Sequence, residues 1–171
     1  MKRAMIVGGS NGIGMAIALE LAAMCKAVTI VDRVLPNIVL PNNIAFKEIN
    51  LINNRFEFLL EYDEIDTLII TAGFGRVTRF ENITDKEIDN SFQVNAVALT
   101  HILHHYYPRM LQSKDFYCAV MGSIAGLVSS PLFALYGATK AAVCSLTESL
   151  NIELEKSGSN NRILNVSPGS I

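Results

Sequence analysis

The chain has 171 residues, half of them hydrophobic and 18% charged, with a formal net charge of −2. That length supports one domain with a substantial core, and the near-neutral charge gives no electrostatic footprint for nucleic acid or an anionic membrane surface. No run reaches the roughly 18 consecutive apolar residues of a membrane span, and the three cysteines, Cys25, Cys118 and Cys144, form no CxxC pair, which fits free thiols in a reducing cytoplasm.

The first residues, Met1 to Val7, look briefly like a signal peptide, but Gly8-Gly9 break the apolar stretch too early for one. Ala4–Val7 reads instead as a first strand. Five more short apolar runs have strand character: Ala27–Val31, Ile44–Glu48, Thr67–Thr71, Phe116–Met121 and Ile163–Val166. Between the first two, Ile13–Lys26 carries Ile13, Ile17, Leu21 and Met24 at helical spacing. Pro36–Asn43, with two prolines and three asparagines, is a loop. Thr84 and Glu87 form a capping box, with Ile83 and Ile88 as its staple, and predict a helix through Asn95 to about His105 that ends before Pro108. A further helix is expected from about Leu135 to Lys156, stopped by Ser157-Gly158. Apolar runs alternating with amphipathic ones predict repeated βαβ units. The expected fold is α/β, a doubly wound parallel sheet of Rossmann type in one domain over 1–171. The chain stops at Pro168-Gly169-Ser170-Ile171 directly after a strand. That ending reads as a shortened chain.

Val7-Gly8-Gly9-Ser10-Asn11-Gly12-Ile13-Gly14 sits between a strand and a helix. Glycines there permit a tight turn and close approach to a pyrophosphate, and the helix N-terminus offers free N–H groups. Asp32, at the carboxyl end of the second strand, can accept from both adenosine ribose hydroxyls and repel a 2′-phosphate. That favours NAD over NADP, while Arg33 beside it is a counter-signal because a guanidinium pairs with phosphate. Asn50-Leu51 are placed to meet an adenine. Tyr136 and Lys140 share one helix face at i and i+4, so a phenol and an ammonium converge on one ligand. A charge about 4 Å from a phenol, at an effective dielectric of about 20, favours its ionised form by roughly 4 kcal/mol. Ser123 ends a strand thirteen residues upstream.

With Gly8-x-x-x-Gly12-x-Gly14, Asp32, Ala72-Gly73, Asn95, Ser123, Tyr136-x-x-x-Lys140 and Pro168-Gly169 in this order, the sequence resembles the short-chain dehydrogenase/reductase family over essentially its whole length. The resemblance implies an NAD(P)-dependent oxidoreductase that interconverts a secondary alcohol and a ketone. Tyr136 would be the general acid/base, and Ser123 would hold the substrate oxygen. Lys140 would bind the nicotinamide ribose and favour the Tyr136 phenolate, and Asn95 would hold a water linking Lys140 to solvent. Ala72, Gly73, Pro168, Gly169 and the Ile171 backbone would border the cofactor. The resemblance also implies a homodimer or homotetramer, paired through the Asn95 and Tyr136 helices. It implies a substrate lid and a last strand past the end of this chain as well. Val7, Ile70-Thr71 and Asn50 stand where the family usually has Thr, Asn-Asn and Asp, which predicts a less rigid loop and fewer adenine-side hydrogen bonds.

Three alternatives share these residues: a 3-oxoacyl carrier-protein reductase, a sugar epimerase or dehydratase, and a non-catalytic nucleotide-binding sensor. Phe74, Arg76 and Arg79 are candidates to overlook the substrate cleft. His101, His104 and His105 have helical spacing, but no third ligand is evident, and no metal is expected.

Overall fold

The computed structural model describes residues 2–53, 55–112 and 115–169. Six parallel strands run β1 (Arg3–Val7), β2 (Ala27–Asp32), β3 (Ile44–Glu48), β4 (Thr67–Ile70), β5 (Tyr117–Met121) and β6 (Ile163–Val166). They lie in the order β3-β2-β1-β4-β5-β6, so the sense in which successive strands are added reverses between β1 and β4. A ligand crevice forms at such a switch point, at the carboxyl edge of the sheet.

Alternation along each strand divides the core. Met5, Val7, Leu68, Ile70, Cys118 and Val120 join one apolar cluster, while Ala4, Ile6, Val28 and Ile30 join another. The first cluster is covered by α3 (Ala98–Gln112) and α4 (Ala134–Lys156), and the second by α1 (Gly12–Met24). On the α1 side, Tyr117, Leu164 and Val166 of β5 and β6 remain exposed. The three cysteines are free thiols, and burial pushes Cys118 up to about 12.

The capping box forms as expected: Thr84 Oγ1 accepts from Glu87 N–H, and Glu87 returns a bond to the Thr84 N–H. It starts α2 (Asp85–Phe92), but the helix does not continue regularly. Residues Gln93–Val97 form a π turn, in which the Ala98 N–H reaches back to Gln93 O, and α3 follows. The expected stop before Pro108 is incorrect. α3 runs through Pro108 to Gln112 because Tyr106 and Met110, on either side of the proline, are fully buried. Arg109 also anchors to the carbonyl of Asp63. Tertiary packing thus outweighs the roughly 3 kcal/mol an interior proline costs. Three short 3-10 turns, Glu57–Tyr62, Phe80–Asn82 and Ile124–Gly126, have no counterpart among the expected elements; the first sinks Phe58 and Leu59 into the core.

Candidate active site

The glycine loop leaves β1 and folds back under β4. Gly8 has φ +89°, and a side chain there would collide with the Ala72 backbone at 2.4 Å. Gly14 is equally confined, since a Cβ would stand 2.2 Å from Gly8 O. Thr71 supplies a tie that the sequence does not announce: its hydroxyl donates to Gly8 O at 2.9 Å and reaches Val7 O at 3.2 Å. Thr71, itself one of the departures from the family pattern, thus ties the loop to the end of β4. α1 begins without a side-chain cap and with no acidic residue in its first turn, which leaves its N–H groups and positive end available to an anion.

The crevice at the switch point encloses about 180 Å³. Gly8, Asn11, Asp32, Arg33, Asn50, Leu51, Ala72 and Gly73 all line it, so these eight of the expected cofactor residues converge there. Asp32 Oδ2 accepts from Ser10 N–H at 3.0 Å and Oδ1 from Arg33 N–H at 2.7 Å, which fixes the carboxylate at the rim. Ser10 Oγ is buried without a hydrogen-bond partner among the described residues. Such an orphan normally marks a missing partner. Asn50 Oδ1 accepts from Ile52 N–H at 3.1 Å and closes a local turn, while Leu51 is largely committed to the core. Ile13 is exposed beside the first turn of α1 and does not line the crevice. Pro168 O accepts from Ile124 N–H, which places Pro168-Gly169 beside the turn that follows Ser123. Ile171 lies outside the described residues.

Ser123 is buried at the end of β5. Its Oγ accepts from Ala125 N–H at 3.2 Å, leaving the hydroxyl proton free to donate. The turn behind it packs tightly on α4: a Cβ on Gly126 would meet the Lys140 backbone at 2.6 Å. Lys140 is 3% exposed, and its ammonium donates to Met121 O at 2.7 Å and stands 5.7 Å from the centre of the Tyr136 ring. Burial pushes it down to about 8, with Cys144 acting in the opposite direction.

Asn95 occupies the π turn, 1% exposed. Its Oδ1 accepts from Phe74 N–H at 2.9 Å; its Nδ2 donates to Phe74 O at 2.7 Å and to Thr139 Oγ1 at 3.0 Å. Both amide protons are thereby spent on protein, and the side chain acts as a clamp on the Phe74 peptide. Phe74 separates the crevice from a second cavity of about 160 Å³ that reaches Tyr136. Arg76 lines this cavity and pairs with Glu87 at 2.7 Å, whereas Arg79 pairs with Glu81 outside it. Glu87 is held below the usual carboxylate range, first by the Thr84 N–H and then by the Thr84 hydroxyl and Arg76. Among the described residues no group of three metal-ligating side chains assembles.

Comparison with known proteins identifies the family. An uncharacterized oxidoreductase of Staphylococcus epidermidis is 25% identical over 99% of this chain and 78% of its own length. A short-chain dehydrogenase from Streptomyces avermitilis superposes with a TM-score of 0.87 at 25% identity, covering 99% of this chain and 66% of that one. A 4-hydroxyisoleucine dehydrogenase complexed with NADH and succinate gives a TM-score of 0.84 at 28% identity, over 97% of this chain and 78% of its own. The family model of short chain dehydrogenases matches residues 47–171, and the chain belongs to that family.

Proposed function

We propose that the chain binds a nicotinamide dinucleotide, NAD in preference to NADP, and interconverts a secondary alcohol and a ketone. The observation that carries this reading is the buried Lys140 ammonium beside Tyr136 at the carboxyl edge of the sheet, next to a crevice lined by the glycine loop and Asp32. The NADH-bound relative supports the choice of cofactor class. Asp32 and Ser10 would hold the adenosine ribose, the first turn of α1 the pyrophosphate, and Lys140 the nicotinamide ribose through its two remaining N–H groups.

When bound, the nicotinamide supplies or accepts the hydride. Tyr136 gives its proton to the carbonyl oxygen in reduction and takes it from the alcohol in oxidation. Ser123 donates its free hydroxyl proton to the same oxygen and holds it in line. Lys140 contributes a buried positive charge 5.7 Å from the centre of the Tyr136 ring. Copies of the chain would pair through the solvent-facing sides of the π turn and α4, where Val97 and Ile152 are exposed; sedimentation as a monomer would count against this part. Among the described residues no helix is long and apolar enough to cross a membrane.

The test is Tyr136→Phe, assayed with NAD on a panel of secondary alcohols and by NADH fluorescence titration. Binding is expected to persist while turnover falls about a thousandfold. Unchanged turnover would sink the acid/base role. NADH binding with no turnover of any panel member by the wild type would favour a nucleotide sensor instead.

A further inference from the structure

We infer that Thr139 and Gly75 are positioning residues for Tyr136, Gly75 packed against its ring and Thr139 bonded to its backbone carbonyl; the inference rests on the function proposed above. Tyr136 is only half-buried, so its ring needs fixed neighbours to keep one orientation. On one side lies the backbone of Gly75, so close that a methyl group there would come within 2.3 Å of Tyr136 Cδ2 and 2.7 Å of Cγ. Gly75 itself follows Phe74, whose N–H and C=O are both held by Asn95. The second N–H of Asn95 goes to Thr139 Oγ1, and that hydroxyl passes its own proton to the Tyr136 carbonyl at 2.8 Å. The contacts form a closed circuit that begins and ends on Tyr136: backbone to Thr139, Asn95, Phe74 and Gly75, then back to the ring.

A threonine inside a helix commonly bonds to a carbonyl one turn back and does nothing more. Thr139 makes that bond and also accepts from a side chain 44 residues away. It has no exposed surface, so water does not compete for either bond. Its hydroxyl therefore couples the helix carrying the acid/base to the loop against which the ring rests. Gly75 is required by space rather than by backbone angle. A side chain at position 75 pushes either the ring or the loop aside, and the loop is pinned by Asn95.

Three variants test the circuit. Thr139→Val keeps the shape and removes both hydrogen bonds; Thr139→Ser keeps the hydroxyl; Gly75→Ala adds the intruding methyl on an exposed loop. The direct readout is NMR of protein with 13C-labelled tyrosine rings, with the Tyr136 signal assigned by Tyr136→Phe. That signal is expected to shift in Thr139→Val and in Gly75→Ala and to hold its place in Thr139→Ser. On the best secondary alcohol of the panel, kcat should fall between about tenfold and a hundredfold in the first two variants, with NADH affinity retained. Thr139→Ser should restore it. A Tyr136 signal left in place by either Thr139→Val or Gly75→Ala overturns the inference, as does Thr139→Ser behaving like Thr139→Val. Because the ring signal is read without substrate, this result stands apart from whether an alcohol is turned over.

Discussion

The Lys140 ammonium donates to the Met121 carbonyl at 2.7 Å, so a single buried charge joins α4 to the last residue of β5. Burial lowers this amine from 10.5 to about 8. Between those values the unfolded chain binds more protons than the folded one, so stability rises with pH across that window. Below about pH 8 the full cost of the buried charge, about 3 kcal/mol, is present. Urea unfolding of the ligand-free protein should therefore show stability increasing from pH 8 to pH 10, with no such increase in Lys140→Met. Parallel pH dependences in the two proteins would argue against a buried cationic Lys140.

Thr71 ties β4 to the glycine loop through one hydroxyl. Thr71→Val keeps the side-chain volume and leaves Gly8 O without that donor. Stability should drop by about 1 kcal/mol in denaturant titrations, and NADH should bind several-fold more weakly. An unaltered midpoint together with unaltered affinity would show that the loop holds itself.

Asp32 has two tasks: it accepts from Ser10 N–H and faces the crevice. Asp32→Ala removes both the anchor and the negative charge that disfavours a 2′-phosphate. Fluorescence titration should show NADH affinity falling about tenfold, with NADPH affinity equal or improved. A parallel loss for both cofactors would mean that Asp32 serves only the loop.

Asn95→Leu strips the Phe74 peptide of both partners and takes from the buried Thr139 hydroxyl the N–H it accepts. Unsatisfied buried groups of this kind cost about 1–3 kcal/mol each, so the melting temperature should fall clearly. Asn95→Asp keeps an acceptor for the Phe74 N–H but offers no donor to its carbonyl, and should fall in between. Equal stability of Asn95→Leu and wild type would remove the clamp from the account.

Much of this architecture is legible in the chain because strand and helix periods differ. The β1, β2 and β3 runs, and the Thr84/Glu87 capping box, declare themselves locally. Pro108 misleads because a local rule about proline competes with the burial of Tyr106 and Met110, which only the folded core reveals. The site divides in the same way. Tyr136, Lys140, Ser123 and the glycine loop carry their chemistry in residue type and spacing. Thr71, Gly75 and Thr139 do not, because each acts through a partner distant in sequence: Gly8, Tyr136 and Asn95 respectively. Thr100 and Thr147, also inside helices, look the same on paper as Thr139.

The π turn at Gln93–Val97 has a consequence for how this helix tolerates change. Each residue of an α-helix turns the following chain by about 100°, so one additional residue within a wide turn acts as a phase shifter between α2 and α3. Shortening the turn by one residue would tidy its hydrogen bonding, yet it would swing Leu99, Ile102, Leu103 and Tyr106 out of the seat they now fill. The irregularity at Asn95 is thus the gear that lets a capped surface helix and a core helix keep separate alignments on one continuous rod. Insertions and deletions should be tolerated far less there than in the 33–43 loop.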